Sequence, residues 1–161
     1  MAKPPVVGAS APSFSLPGVL LVEDLAERRE YRLEEAKGKP LVLVFYPGDD
    51  TPVCTKQLCS YTSDLDRFRD LGATVWGISP QDLDSHERFA RKHRLGFPLL
   101  ADPDRAVARA YGITVPGLGL RRSVFILDGG STVTWRHVAL AGLTFQHADT
   151  LAAQLETLRG A

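Results

Sequence analysis

The chain is poor in cysteine, carries no net charge and contains no long apolar run. Its 161 residues include only two cysteines, Cys54 and Cys59, which are too few for a disulfide framework. A chain of this length buries about two-thirds of its unfolded surface, so its stability does not depend on disulfides. We therefore expect both cysteines to be available for chemistry.

The charge balance and the hydropathy pattern argue against several classes of partner. Lys and Arg number 19, Asp and Glu number 19, and the formal net charge of zero favours neither nucleic acid nor an anionic membrane. No apolar segment reaches transmembrane length, and no signal-peptide core follows Met1–Pro5. The expected location is the cytoplasm, a reducing compartment where cysteines are more often reactive than structural.

No repeat, low-complexity block or linker divides the sequence, so we expect one domain over residues 1–161. Residues 1–18 predict an N-terminal extension along the surface, and residues 20–34 predict a hairpin or a strand. Strands are then predicted at Leu41–Tyr46, Ala73–Ser79, Phe97–Ala101, Ser123–Leu127 and Thr132–Val138. Helices are predicted at Pro52–Leu71, Ser85–Leu95, Arg105–Tyr111 and His147–Arg159.

This order of elements predicts an α/β fold with a central mixed sheet flanked by helices. Its parallel core and antiparallel hairpin correspond to the thioredoxin-like fold, here with an N-terminal extension. Ligands of such sheets bind at the carboxyl ends of the parallel strands. Cys54 follows that end of the first predicted core strand, Leu41–Tyr46.

The residues around Cys54 favour a reactive thiol. A turn containing Pro47 and Gly48 follows the strand, and Thr51 is the expected N-cap of a helix that starts at Pro52. The partial positive charge of a helix N-terminus stabilises a thiolate. Cys54 lies in this first turn, where a nucleophilic sulfur is expected.

The same residues do not predict a metal site. A Cys-x4-Cys spacing without a second pair is a poor zinc signature. The four histidines are scattered, and His86 and His93 are predicted on the solvated face of a charged helix. We expect no metal ion and no cofactor.

The motifs around Cys54 and elsewhere in the sequence resemble those of the peroxiredoxins. Pro47, Thr51 and Cys54 match the Pro-x-x-x-Thr-x-x-Cys motif of that family, and Cys59 stands where its bacterioferritin-comigratory (PrxQ-like) subfamily keeps a resolving cysteine. Further segments that resemble family motifs are Gly8–Phe14, Trp76–Ser79 and Arg122–Asp128. The chain departs from the subfamily at Tyr61-Thr62-Ser63, where many members carry Phe-Arg-Asp.

The resemblance implies a peroxidase that reduces hydrogen peroxide and organic hydroperoxides without a cofactor. It implies that Cys54 attacks the peroxide and becomes a sulfenic acid, which Cys59 resolves as an intramolecular disulfide. It also implies that a thioredoxin-type dithiol reduces this disulfide. Arg122 is the implied cation beside the thiolate, Thr51 the implied partner of sulfur and substrate, and Pro47 the implied shield against water.

Two further expectations concern the arginine and the assembly. Strand alternation sends Arg121 and Arg122 to opposite faces, so only one of them reaches Cys54, and counting back from Asp128 favours Arg122. The resemblance implies that Gln57 hydrogen-bonds this arginine. It also implies a monomer or a weak homodimer.

The spacing of the cysteines restricts how they can pair. On a regular helix, residues five apart are separated by roughly 7.5 Å of rise and about 140° of rotation, which places their Cα atoms roughly 8–9 Å apart. A disulfide requires about 4.4–6.8 Å between the Cα atoms. The helix around Cys54 must therefore unwind before Cys59 can reach it.

Other functions remain open. The chain could be a thiol redox sensor, or a one-cysteine peroxidase in which Cys59 is not the resolving thiol. A thioredoxin-like disulfide oxidoreductase is disfavoured, because that chemistry uses Cys-x-x-Cys and the pair here is spaced more widely.

Overall fold

The computed structural model describes residues 2–117, 119–140 and 144–159. The strands are β1 (Ser15–Val22), β2 (Leu25–Arg32), β3 (Leu41–Phe45), β4 (Thr74–Ser79), β5 (Leu99–Ala101), β6 (Thr114–Val115), β7 (Gly119–Leu120), β8 (Ser123–Leu127) and β9 (Val133–Val138). The helices are α1 (Pro52–Ser63), α2 (Leu65–Asp70), α3 (Leu83–His93), α4 (Ala106–Ala110) and α5 (Ala148–Arg159). A short 3-10 helix spans Leu33–Ala36.

Within the described residues, seven strands form one mixed sheet in the order β2-β1-β5-β4-β3-β8-β9. Strands β3, β4 and β5 run parallel, while β8 pairs with β3 and β1 pairs with β5 in antiparallel fashion. All five residues of β3 are buried, as its unbroken apolar sequence predicts. The predicted mixed sheet with a parallel core is therefore confirmed, as is the hairpin of β8 and β9.

Apolar side chains fill both faces of this sheet. Val42 and Val44 of β3 belong to a cluster with buried residues of α1, α2, α3 and α5. Leu41, Leu43 and Phe45 alternate with them and belong to a second cluster with buried residues of β1, β2 and α4. Because both faces of β3 are covered, the loop after it starts from a fixed point in the core.

The N-terminal region is more regular than the sequence predicts. Residues 15–18 are not part of a surface arm, because β1 begins at Ser15 and pairs with β2 on one side and β5 on the other. Pro17 and Gly18 resemble loop residues in the sequence. A Cβ at position 18 would lie 2.7 Å from the Tyr31 ring, so glycine here permits the Tyr31 side chain of β2 to pack closely against β1.

The predicted helix from Pro52 to Leu71 is two helices. Asp64, with φ −100° and ψ 12°, separates α1 from α2. The Ser63 hydroxyl donates a hydrogen bond to the Cys59 carbonyl at 3.0 Å, an interaction of a kind that often bends helices. Apolar spacing continues through Tyr61, Leu65 and Phe68, so periodicity alone does not reveal the break.

Across the described part of the chain, none of the helices combines the length and apolar character needed to cross a bilayer.

The contact between Gly112 and the N-terminal segment, residues 2–4, gives a test of how this segment packs on the domain. Gly112 has φ +68°, and a Cβ there would lie 2.5 Å from the Pro4 nitrogen and 2.7 Å from the Ala2 carbonyl oxygen. Gly72 has a similar φ of +76° with nothing within 4 Å of its Cβ position. Gly72→Ala should cost about 1–2 kcal/mol through backbone strain alone, whereas Gly112→Ala should cost more because the segment must also move.

Urea unfolding of the two variants measures this difference, and limited proteolysis near Pro4 reports whether the segment has detached. Equal losses of stability, with equal resistance to proteolysis, would contradict the packing of this segment against Gly112.

Candidate active site

Cys54 lies where the carboxyl ends of the parallel strands meet the start of α1. The loop from Tyr46 to Thr51 connects β3 to this helix, with Pro52 in its first turn as expected. Thr51 has extended backbone geometry, with φ −84° and ψ 152°, and is the N-cap residue by position. The Cys54 side chain is buried, and its sulfur lies in the first helical turn, where backbone N–H groups carry partial positive charge.

Arg122 reaches this sulfur. It immediately precedes β8, whose first residue Ser123 pairs with Phe45 at the end of β3. Arg122 is only 3% exposed, and its Nη2 lies 3.1 Å from Cys54 Sγ. Its Nη1 donates a hydrogen bond to Gln57 Oε1, the partner expected from the resemblance.

The neighbouring arginine faces elsewhere. Arg121 Nε donates to the Ala139 carbonyl at 2.8 Å, and its Nη2 lies 3.4 Å from the Val138 carbonyl. The structure therefore places Arg122, not Arg121, beside Cys54, in agreement with the register chosen from Asp128.

The other motif residues line the exposed side of the loop. Pro47 and Thr51 are both exposed, whereas Cys54 is buried behind them. The Thr51 hydroxyl donates to the Gly48 carbonyl at 3.4 Å and does not act as a side-chain cap. In this conformation the hydroxyl bonds to the loop backbone, and its role towards sulfur and substrate stays a prediction.

A buried polar cluster beneath the loop was not anticipated from the sequence. His86 was predicted on a solvated helix face, and this prediction is wrong because its side chain is fully buried. His86 Nδ1 lies 2.7 Å from Asp49 Oδ2, and its Nε2 lies 3.0 Å from the Leu100 carbonyl. His86 precedes Phe89 and Ala90 by three and four positions, a spacing that could have indicated its inward direction.

Asp49 is the centre of this cluster. Its Oδ1 accepts a hydrogen bond from the Tyr46 hydroxyl and its Oδ2 accepts one from the Ser85 hydroxyl, each at 2.7 Å. Burial, followed by the Asp49 carboxylate, raises the pKa of Tyr46 well above its usual value, so this hydroxyl remains a neutral donor. Asp49 thus fixes the middle of the loop between Pro47 and Thr51 to α3.

Cys59 lies on the same uninterrupted helix as Cys54. Both cysteines are free, and Cys59 is partly buried, which raises the pKa of its thiol. Thr55 N donates to the Thr51 carbonyl at 2.8 Å, so α1 is hydrogen-bonded from its first turn. On the intact helix the Cα atoms of the two cysteines are too far apart for a disulfide, so α1 must unwind before the bond can form.

Residues Tyr61-Thr62-Ser63 stand where many PrxQ-like proteins carry Phe-Arg-Asp, and they make specific contacts. Tyr61 is fully buried, Thr62 Oγ1 accepts a hydrogen bond from Gly96 N at 3.3 Å, and Ser63 bonds to the Cys59 carbonyl. Tyr61 and Thr62 therefore connect α1 to its surroundings without an arginine, whereas the Ser63 hydroxyl bonds within the helix.

In the regions that the structure describes, no cluster of three or more His, Cys, Asp or Glu side chains could hold a metal ion. The chemistry available at the site is that of a sulfur nucleophile beside a guanidinium and a helix N-terminus.

Comparison with known proteins gives a consistent result. The sequence profile described as "AhpC/TSA family" matches residues 7–136. The chain is 38% identical over 133 residues to "Peroxiredoxin Q, chloroplastic" of Gentiana triflora, which covers 79% of this chain and 59% of that protein. It is 34% identical over 145 residues to "Putative peroxiredoxin bcp" of Coxiella burnetii, covering 84% of this chain and 91% of that protein.

The chain thus spans little more than half the length of the plant relative. Among solved structures, peroxiredoxin Q of Xanthomonas campestris is similar with a TM-score of 0.77 and 30% identity, covering 88% of this chain and 90% of that one. The similarity confirms the expected thioredoxin-like fold.

The arginine contact predicts the reactivity of Cys54. A hydrogen bond between a charged donor and a thiolate contributes about 1.5–3 kcal/mol. Arg122→Ala should therefore slow the reaction of Cys54 with hydrogen peroxide by roughly ten- to a hundredfold, as measured by stopped-flow fluorescence. Arg121→Ala is the matched control, because it removes an adjacent guanidinium that bonds only backbone carbonyls among the contacts described above. An equal loss of rate in both variants would contradict the assignment.

Proposed function

The chain belongs to the AhpC/TSA family, and from this premise we propose that it is a thiol peroxidase that reduces hydrogen peroxide and organic hydroperoxides. The observation that supports this most directly is the 3.1 Å contact between Arg122 Nη2 and Cys54 Sγ at the N-terminus of α1. A guanidinium and a helix N-terminus together stabilise the thiolate, which is the form of cysteine that attacks a peroxide.

In the first step the Cys54 thiolate attacks one peroxide oxygen in line with the O–O bond. An S–O bond forms as the O–O bond breaks, so the sulfur is oxidised to a sulfenic acid and the distal oxygen leaves as an alcohol or water after taking a proton. Arg122 and the backbone N–H groups of Val53 and Cys54 would stabilise the charge on the departing oxygen. Thr51 would orient the peroxide, and Pro47 would limit the access of water.

In the second step Cys59 attacks the Cys54 sulfenic acid. An S–S bond forms, the S–O bond breaks, and the hydroxyl leaves as water with the proton of the Cys59 thiol. This step requires α1 to unwind. The buried face of the first half of the helix consists of Cys54, Gln57 and Leu58, so only one aliphatic side chain anchors it, which supports local opening.

The cycle then closes by thiol–disulfide exchange with a dithiol protein of the thioredoxin type. Two electrons pass from that dithiol to the Cys54–Cys59 disulfide, and both thiols are regenerated. We propose the cytoplasm as the location because this cycle requires a reducing partner, and the PrxQ-like resemblance favours a monomer or a weak homodimer.

A groove beside the start of α1 supports organic hydroperoxides as substrates. It has a volume of about 360 Å³ and is lined by Pro52, Val53, Lys56, Thr144, Phe145 and His147. Apolar side chains in this set suit an alkyl group whose hydroperoxide end points toward Cys54.

Cys54→Ser should abolish peroxide consumption, because a serine hydroxyl at neutral pH does not cleave the O–O bond. The measurement is steady-state loss of hydrogen peroxide and of cumene hydroperoxide with a thioredoxin system, together with circular dichroism to show that the fold is retained. Cys59→Ser, which keeps the first nucleophile, is the control and should still react once. Turnover by folded Cys54→Ser would refute the proposal.

Cys59→Ser should then stall as the sulfenic acid and over-oxidise at Cys54 as peroxide increases, which intact-protein mass spectrometry detects as added oxygen. In oxidised wild type, mass should fall by two hydrogens, and amide exchange should rise over residues 52–62 while β3 and β4 stay protected.

Full turnover of Cys59→Ser with thioredoxin would instead favour the one-cysteine alternative. The burial that raises the pKa of the Cys59 thiol is the observation in its favour. A disulfide in wild type with unchanged exchange over residues 52–62 would refute the unwinding step.

A further inference from the structure

A chain of buried hydrogen bonds connects Cys54 to the segment before α5. Tyr61, Gln57 and Arg122 are 0%, 0% and 3% exposed, respectively. The Tyr61 hydroxyl donates to the Gln146 carbonyl at 2.6 Å and accepts a hydrogen bond from Gln57 Nε2 at 3.2 Å. Gln57 Oε1 in turn accepts a hydrogen bond from Arg122, which contacts Cys54 Sγ.

We propose that Tyr61 is a positioning residue that sets the balance between the two chemical steps of this protein. Its hydroxyl orients Gln57 and Arg122 for reaction of Cys54 with peroxide, and it also holds α1 in the folded state that must open for resolution by Cys59. This inference rests on the proposed function.

The donor and the acceptor of each hydrogen bond from Arg122 to Gln146 are determined by the functional groups involved. Arginine has only donors, so the carbonyl oxygen of Gln57 must face Arg122. The Gln57 amide N–H then points to Tyr61, which can accept because its own proton is directed to the Gln146 carbonyl. The Tyr61 hydroxyl therefore supplies the acceptor that favours the productive orientation of Gln57.

Two observations make this role specific to the hydroxyl. The Tyr61 ring packs edge-on against Phe68 and Phe145, with centroid distances of 6.4 and 6.3 Å, and these contacts would remain if the residue were phenylalanine. Burial raises the pKa of Tyr61 to about 12, so the hydroxyl keeps its proton over the physiological range. Many PrxQ-like proteins carry phenylalanine here, so the Tyr61 hydroxyl is a polar group by which this chain departs from them.

The position of Tyr61 on α1 couples the two steps. Cys54, Gln57 and Tyr61 follow one another at three and four residues and share the buried face of the helix. Unwinding that brings Cys59 to Cys54 removes Gln57 from Arg122, and the Tyr61–Gln146 bond opposes such unwinding. The same hydroxyl therefore favours the first step and restrains the second.

Tyr61→Phe should consequently change the two rate constants in opposite directions. Loss of the acceptor leaves the buried Gln57 amide unsatisfied, and we expect peroxide reaction about three- to tenfold slower. Loss of the bond to Gln146 raises the population of unwound α1, and disulfide formation should be about fivefold faster or more. Stopped-flow fluorescence with hydrogen peroxide resolves both phases in the full-length protein.

Tyr111→Phe is the matched control. Tyr111 is also a buried tyrosine whose hydroxyl donates to a backbone carbonyl, that of Pro12, at 2.8 Å. It differs from Tyr61 because it packs in the cluster on the other face of the sheet. Tyr111→Phe should lower the free energy of unfolding by a comparable amount while leaving both rate constants within about twofold of wild type.

A double-mutant cycle with Gln57→Met tests whether Tyr61 acts through Gln57. Gln57→Met should slow the peroxide step by itself, and Tyr61→Phe added to it should cause little further loss, because the amide that the hydroxyl orients is already absent. Additive losses in the peroxide step would overturn the positioning role.

The remaining outcomes separate this inference from the proposed function. If wild type forms the disulfide with peroxide and Tyr61→Phe behaves like Tyr111→Phe, the inference is wrong and the proposed function stands. If both rate constants of Tyr61→Phe fall together, the hydroxyl does not restrain unwinding and the inference is also wrong. If wild type does not react with peroxide at all, both proposals fail.

Discussion

The arrangement of the site depends on one buried charge. Arg122 is almost fully shielded from water, and a buried guanidinium is tolerated only where negative or polar partners surround it. The sulfur of Cys54 and the side-chain carbonyl of Gln57 supply such partners. Because β8 is held against the centre of the sheet by β3, the guanidinium is fixed before any substrate arrives, and the sulfur gains a preorganised positive environment.

The proposed reaction cycle places opposing demands on a single helix. The first turn of α1 must be intact to present its N–H groups to the sulfur of Cys54, yet Cys59 lies on the same helix at a spacing that no disulfide can bridge. Polar contacts at Gln57 and Tyr61 stabilise the intact state, whereas the scarcity of aliphatic anchors in the first half lowers the cost of opening it. The loop before the helix is held separately by Asp49, so the unwinding of α1 that we propose would leave the strand beneath it in place.

Local patterns indicated much of this arrangement in advance. The apolar run of β3 predicted a strand covered on both faces, and a helix start at Pro52 followed from the residue types around it. The patterns failed where tertiary contacts overrode them. Glycine at position 18 suggested a loop, but it allows Tyr31 to pack closely within a hairpin. The break at Asp64 was hidden because apolar spacing continues across it.

The sequence by itself determined the place of Cys54 at a strand-to-helix turn and the order of the core strands and helices that follow it, because these depend on neighbouring residues and short-range periodicity. Only the tertiary structure decided which arginine faces Cys54, that His86 is buried against Asp49, and that Tyr61 connects α1 to Gln146. The residues of each of these pairs are separated by 37 to 85 positions along the chain. Local spacing favoured Arg122 and could have indicated that His86 faces inward, but the partner that each side chain meets depends on how strands and helices are brought together.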